Sequence, residues 1–103
     1  MIVFSSAFNR PFVKKGKFVK NDLYIIYIMK RNDEENKYGI AISNKIGKAN
    51  IRNRLKRQTR AIIDINKNLF QKGYNYIIMI RKSCLEASFY NKNLAIKELL
   101  ENR

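Results

Sequence analysis

The sequence predicts an α+β fold, a layered sandwich in which helices cover one small sheet. Three short runs of β-branched and aromatic residues are typical of strands, and two longer segments repeat apolar residues at helical spacing. The order of these elements along the chain is β-β-α-β-α. Since 46% of the 103 residues are apolar, the chain can bury one core, and we expect residues 1–103 to form a single domain.

The first 18 residues combine aromatic rings with basic side chains, and Pro11 and Gly16 interrupt them. A helix there is short or begins at the proline. Leu23–Met29 then predicts the first strand. Alternation places Leu23, Ile25, Tyr27 and Met29 on one face and Tyr24, Ile26 and Ile28 on the other. Because both faces are apolar or aromatic, one packs on a helix, and the other is covered by a second helix or forms a groove for flat bases.

A polar turn, Lys30–Lys37, contains an acidic cluster, which we interpret as solvated rather than metal-binding. The second strand is predicted over Tyr38–Ser43, antiparallel to the first across this short hairpin.

The segment from Lys45 to Arg60, KIGKANIRNRLKRQTR, holds seven basic residues and no acidic one. A helix is predicted from about Lys48 to about Asn66. At about 100° per residue, its apolar side collects Ile51, Leu55, Ile62 and Ile65, with Gln58 among them. The other side carries a ridge of Arg52, Lys56 and Arg60, with Asn53 and Arg57 beside it. Like charges four residues apart repel each other, so this pattern favours an anionic partner.

Gly73 closes the connection after the basic helix, and Tyr74–Arg81 predicts the third strand. Glu86–Leu100 predicts the last helix. Its apolar residues Leu85, Phe89, Ile96 and Leu100 lie roughly on one face.

A formal net charge of +14 on 103 residues implies strong attraction to polyanions, with nucleic acid as the first candidate and an anionic membrane surface as the second. Four of the eight arginines lie within Arg52–Arg60. The planar guanidinium group of arginine can bind a phosphate through two hydrogen bonds, so this cluster of arginines favours nucleic acid as the partner.

Catalytic side chains are scarce. The chain has no histidine and one cysteine, Cys84, which excludes a zinc site and a Cys–His nucleophile. We expect no catalytic residue, no metal site, and a buried Cys84. A single cysteine suits a reducing compartment, no apolar run approaches the roughly 20 residues of a membrane span, and no secretory signal is recognisable, so we expect a cytoplasmic protein.

Aromatic rings interleaved with bases suit stacking on unpaired nucleotides. We assign this role to Phe8, Phe12 and Tyr27, with core packing as the alternative. For Phe4 and Phe18 we favour core packing.

The segment Lys45–Arg60 resembles the signature of the bacterial ribonuclease P protein subunit, K-x-G-x-A-x-x-R-N-R-x-K-R-x-x-R. In that family the signature lies on a helix after a short strand that ends in serine, which Tyr38–Ser43 matches. Upstream, the family's F-x-x-x-F…G…N…Y order is matched by Phe8, Phe12, Gly16, Asn21 and Tyr27. The resemblance implies a central mixed sheet of about four strands, in a ribosomal-protein-like topology with a left-handed β-α-β crossover. Asn44 departs from the family, where a lysine is common.

The resemblance also implies a function. The family's protein binds a large catalytic RNA in a 1:1 complex as a monomer, and together they remove the 5′ leader from precursor tRNA. The RNA holds the Mg²⁺ ions and performs the hydrolysis, so the protein binds no cofactor tightly. Carried over by position, the residues that contact RNA are Arg52, Asn53, Arg54, Lys56, Arg57 and Arg60, and we add Lys45 and Lys48. The cleft for the single-stranded leader is formed by Phe8, Phe12, Ile25 and Tyr27.

Three other functions compete with this one. The first is a ribosome-associated or general structural RNA-binding protein without a leader cleft. The second is a DNA-binding protein that uses the basic helix, although no helix-turn-helix precedes it. The third is membrane-surface binding, which the lack of a bulky aromatic face on the basic helix disfavours. For Arg54, which lies toward the apolar flank, a structural ion pair is as good an interpretation as an RNA contact.

Overall fold

Five strands form one mixed sheet within the residues that the computed structural model describes, which are 2–4 as backbone and 17–101 in full. They are β1 (Ile2–Phe4), β2 (Lys17–Lys20), β3 (Tyr24–Lys30), β4 (Lys37–Ile42) and β5 (Tyr74–Ile80). Their order across the sheet is β1-β4-β5-β3-β2. The predicted α+β fold is confirmed, and the three predicted strands are present with ends shifted by about one residue. The short strands β1 and β2 are additional, and the helix expected within the first 18 residues falls mostly on positions outside the described part.

The predicted hairpin between the first two long strands is wrong. β5 lies between them, antiparallel to β3 and parallel to β4. The loop 31–36 crosses the end of β5 and is held there by two hydrogen bonds, from Arg31 N–H to the carbonyl of Gly73 (2.8 Å) and from Tyr74 N–H to Oδ1 of Asn36 (3.2 Å). The hairpin that the sheet does contain joins β2 to β3, where Asn21 Oδ1 accepts from the backbone N–H of Leu23 and Tyr24.

One face of the sheet, the inner face, carries the core. Register places three side chains from β3, β5 and β4 in each of three rows across it, and all nine are at most 4% exposed. The rows are Ile28–Tyr76–Tyr38, Ile26–Ile78–Ile40 and Tyr24–Ile80–Ile42. On β3 and β5 these buried side chains alternate with half-buried ones on the other face, whereas β4 is buried on both faces from Tyr38 to Ile42.

Two helices cover the inner face. α1 (Ala49–Ile65) lies over β4, and α2 (Phe89–Glu101) lies over β3. The predicted basic helix is therefore confirmed to within a residue at each end. α2 begins three residues later than predicted, because Ser88 accepts the N–H of Asn91 on its Oγ and so starts the helix.

The buried side of α1 is rotated from the predicted one. Leu55 and Ile62 are buried as expected, but Ile65 is 61% exposed, and Thr59 and Ile63 are buried instead. Thr59 can lie in the core because its hydroxyl donates to the carbonyl of Leu55 at 2.8 Å.

The predicted apolar face of the last helix is also only partly correct. Ile96 and Leu100 are buried, as is Cys84 ahead of the helix, whereas Phe89 is 40% exposed in the first turn. The buried positions that the pattern missed are Lys92, Ala95 and Leu99.

Candidate nucleic-acid interface

The basic ridge on α1 has the geometry that the sequence predicts. Arg52, Lys56 and Arg60 follow one another one helical turn apart along one flank, and Asn53 and Arg57 are exposed next to them. The last four of these side chains line a shallow concavity of about 270 Å³. A concave surface lined by two guanidinium groups, an ammonium and an amide can hold phosphate oxygens.

The ridge faces away from α2. Gln58 lies on the opposite flank of α1, where its Oε1 accepts a 2.7 Å hydrogen bond from Nζ of Lys92 on α2. Arg54 lies on this α2 side as well, and among the described residues it has neither an ion pair nor a hydrogen bond. Its charge acts on Lys92 instead: burial lowers the pKa of this lysine, and repulsion from Arg54 lowers it further. Arg54 is therefore exposed but separate from the ridge.

The start of α1 adds positive potential. Lys48 precedes the first turn without a side-chain cap, and this turn contains no acidic residue. The positive end of the helix dipole is thus left without a compensating carboxylate from the first turn. Lys45, exposed on a short 3₁₀ turn (Asn44–Ile46), lies just ahead of it. Between them Gly47 approaches Ile51 closely, since a Cβ at this glycine would lie 3.3 Å from the Ile51 side chain.

Arg52 is held in place by a residue that the sequence analysis did not single out for contact. Its Nη1 donates a hydrogen bond to Oδ1 of Asn44. Its Nε is buried and has no hydrogen-bond partner within the described part of the chain. In the family that the sequence resembles, a lysine is common at the position of Asn44. Here the asparagine adds no charge but orients Arg52.

The sheet face opposite the helices, which we call the outer face, includes the side chains of Phe18, Lys20, Ile25, Tyr27, Ile77 and Met79. Ile25 and Tyr27, two of the four predicted cleft residues, lie here and are half-buried. Phe8 and Phe12, the other two, lie outside the described residues. The two described cleft residues therefore share a face that α1 and α2 do not cover.

The expectation of core packing for Phe18 is wrong. Its ring is 55% exposed on β2, and its centroid lies 5.8 Å from that of Tyr27 on the neighbouring strand. The next residue, Val19, points to the inner face and packs against the core. Composition alone does not separate these two neighbours. The signal that separates them is register, because Val19 pairs with the buried Ile26 and Phe18 pairs with Tyr27.

A groove of about 360 Å³ connects the outer face with the start of the basic helix. Met79 and Ala41 line it on the sheet side, and Asn44 and Lys45 line it on the helix side. Met79 pairs with Ile25, so the groove begins next to a predicted cleft residue and ends next to the asparagine that holds Arg52. The outer face and the basic helix are thus parts of one continuous surface.

The structure also places the acidic side chains and the cysteine that could take part in metal binding or catalysis. They contain no group of three or more histidine, cysteine or acidic side chains that could hold a metal ion. The Cys84 thiol is fully buried and donates to the carbonyl of Leu23, and burial raises its pKa. In the polar turn, Asp33 pairs with Arg31 at 2.7 Å, and this hydrogen bond lowers the pKa of Asp33 to about 2. No helix in the described part is long and apolar enough to cross a bilayer.

Comparisons with known proteins show which family and which fold the chain resembles. The family model described as Ribonuclease P matches residues 2–103. A curated relative, the ribonuclease P protein component of Alkaliphilus oremlandii, is 36% identical over 92 residues, covering 89% of this chain and 81% of the relative. Among solved structures, the RNase P protein from Thermotoga maritima superposes with a TM-score of 0.83 at 28% identity, over 91% of this chain and 89% of that one. The Staphylococcus aureus RNase P protein, at 22% identity and a TM-score of 0.80 over 89% of this chain and 84% of that one, shares the fold.

Proposed function

The chain belongs to the ribonuclease P protein family, and we propose that it serves as the protein subunit of a ribonucleoprotein that removes the 5′ leader from precursor tRNA. In this role it binds the catalytic RNA through the basic helix and the leader through the outer face. The observation that carries the proposal is the groove that joins these two surfaces, lined by Met79 and Ala41 at one end and by Asn44 and Lys45 at the other.

The ridge of Arg52, Lys56 and Arg60, with Asn53 and Arg57 beside it, suits a folded RNA. Its charges lie on a rigid helix, so they present a fixed array to phosphates rather than a flexible one. Lys45 and Lys48 extend the array past the start of the helix. We assign Arg54 to the periphery of this surface, because it lies on the flank toward α2.

The outer face suits a single strand. Tyr27 offers a ring to a base, and Ile25 offers an aliphatic surface next to it, which together accept any base sequence. A leader that differs from one precursor tRNA to the next requires such a sequence-tolerant contact. Phe8 and Phe12 belong to the same proposal by position.

In the proposed division of labour, the protein supplies positioning and charge, and the RNA supplies the chemistry. Mg²⁺ would be held mainly by the RNA, where it would supply the activation of the attacking water, and the protein would contribute no ligand that must be present for hydrolysis. The complex contains one protein and one RNA and acts in the cytoplasm.

A cleavage assay tests this division. Precursor tRNA is incubated at low millimolar Mg²⁺ with the protein alone, with the catalytic RNA alone, and with both. We expect no cleavage by the protein alone and faster cleavage by the mixture than by the RNA alone. Cleavage by the purified protein without RNA would contradict the proposal.

A competition experiment separates the proposal from a general RNA-binding role. Leader-bearing and leaderless tRNA compete for the assembled complex, and we expect the leader-bearing form to bind more tightly. Tyr27→Ala should weaken the binding of the leader-bearing tRNA by about tenfold, from a stacking contribution of about 1–3 kcal/mol per base, and leave the leaderless tRNA unchanged. Equal affinity of the unmodified complex for both tRNAs would instead support the structural RNA-binding protein.

A further inference from the structure

We propose that Phe18 is an additional stacking site for a base of the single-stranded leader, so that β2 extends the cleft by one nucleotide beyond Tyr27. This inference rests on the proposed function, and it adds a residue that the sequence assigned to the core. Its occupant is unpaired RNA.

The position of the ring carries the inference. Phe18 is 55% exposed and pairs across the sheet with Tyr27, which in turn pairs with Ile77 on β5. The three side chains therefore form one row across the outer face. Their neighbours in the next row are Lys20, Ile25 and Met79. Phe18 is the exposed end of a continuous apolar and aromatic strip.

The ring geometry suits stacking by a flat ligand. The centroids of Phe18 and Tyr27 lie 5.8 Å apart and the planes are inclined by 46°, so the two rings touch without stacking face to face. Neighbouring rings at this separation can each present surface to a different nucleotide, because successive bases of an extended strand also follow one another at several ångströms.

The charge around Phe18 favours a polyanion. Lys20 lies on the outer face with the ring, Lys17 precedes the ring on β2 with its side chain on the opposite face, and both lysines are exposed. None of the strands β2, β3 and β5 contains an acidic residue. An exposed ring beside a lysine on the same face suits single-stranded nucleic acid, in which the ring stacks on a base and the ammonium group contacts a phosphate. Phe18 continues the row of Tyr27, to which the proposed function assigns the leader, so unpaired RNA is the occupant that this ring would share.

The test uses the assembled complex of protein and catalytic RNA with precursor tRNAs whose leaders lengthen by one nucleotide at a time. Phe18→Ala should lower the affinity for long leaders by about five- to tenfold and leave short leaders and leaderless tRNA unchanged. Phe18→Trp should retain the affinity. Phe18→Leu keeps an apolar side chain but removes the aromatic face, so it should lose most of what Phe18→Ala loses.

A walk of abasic nucleotides along the leader locates the contact. One abasic position should weaken binding to the unmodified complex by the same factor as Phe18→Ala, and it should have no further effect on that variant. Tyr90→Ala is the matched control, since Tyr90 is a 68% exposed ring on α2, away from the outer face. Thermal unfolding of each variant verifies the fold, which a half-exposed ring outside the core should not disturb.

Three results would overturn the inference. These are an unchanged affinity of Phe18→Ala for every leader length, full affinity of Phe18→Leu, and an equal loss for leaderless tRNA. In each of them the unmodified complex still prefers leader-bearing tRNA, so the proposed function stands. If the unmodified complex shows no preference for a leader, the proposed function fails as well, and the two failures are thus distinguished.

Discussion

Replacing Arg57 by alanine tests whether the basic ridge binds RNA phosphates. Arg57 is exposed on α1 and lines the concavity of about 270 Å³ together with Asn53, Lys56 and Arg60. Each phosphate contact contributes about 0.7–0.9 to the slope of log affinity against log salt. If Arg57 makes one such contact, the variant binds the catalytic RNA more weakly, and its slope is shallower by that amount.

The size of the effect follows from the slope. Between about 50 and 200 mM salt, a slope difference of about 0.8 changes the ratio of the two affinities by roughly threefold. The loss caused by Arg57→Ala is therefore larger at low salt and should shrink by roughly threefold over this range. Filter-binding titrations of the catalytic RNA at four salt concentrations measure it.

Lys97→Ala is the matched control, because Lys97 is also exposed and its loss changes the net charge of +14 by the same single unit. It lies on α2, away from the ridge, so its slope should equal that of the unmodified protein. An unchanged slope for Arg57→Ala, or an equal change for Lys97→Ala, would show that the protein attracts RNA by net charge alone and that the ridge makes no localised contact.

Three further variants probe other parts of the structure. Asn44→Ala frees Arg52, so it should weaken binding of the catalytic RNA about threefold with an unchanged thermal midpoint; normal affinity would mean that the asparagine does not orient the arginine. Burial lowers the pKa of Lys92 in the folded state below its value of 10.5 in the unfolded state. Protonation of this lysine therefore destabilises the folded state, and the free energy of unfolding increases as the pH rises from the folded pKa toward 10.5. Lys92→Met should accordingly raise the free energy of unfolding by about 1 kcal/mol at pH 7 and by less near pH 10, as measured by urea titration; equal gains at both pH values would contradict this explanation. Gly73 has a φ of +83°, and a Cβ there would lie 3.0 Å from the carbonyl oxygen of Asp33, so Gly73→Ala should cost at least about 1 kcal/mol in the same assay, whereas no loss would refute the strain.

Local patterns predicted well what depends on neighbours along the chain. The helix around Leu55 and the strand around Ile26 were correctly located, because helical and strand periods are properties of a few consecutive residues. The ridge of Arg52, Lys56 and Arg60 followed from the same period. A helical period does not fix the rotation of α1 about its own axis to within a fraction of a turn. The pattern therefore places Ile65 in the core, whereas the structure buries Ile63.

The sequence pattern did not predict that β5, which is distant in sequence, pairs with both β3 and β4. A six-residue polar loop between β3 and β4 is consistent with a hairpin, yet β5 separates the two strands. A parallel partner for β4 requires a long crossover connection, and α1 supplies it. The loop 31–36 spans the width of one additional strand, which costs it little because strands are only about 5 Å apart.

The sequence by itself determined that this chain has a basic helix with one buried side, three long apolar strands and no histidine. These features are carried by residue type and spacing. Only the tertiary structure decided that β5 lies in the middle of the sheet, that Phe18 is exposed while Val19 is buried, that Asn44 holds Arg52, and that a groove joins the outer face to the basic helix. The reason is physical: each of these depends on which distant residues become neighbours, and that choice is made by the packing of the whole core rather than by any local stretch of chain.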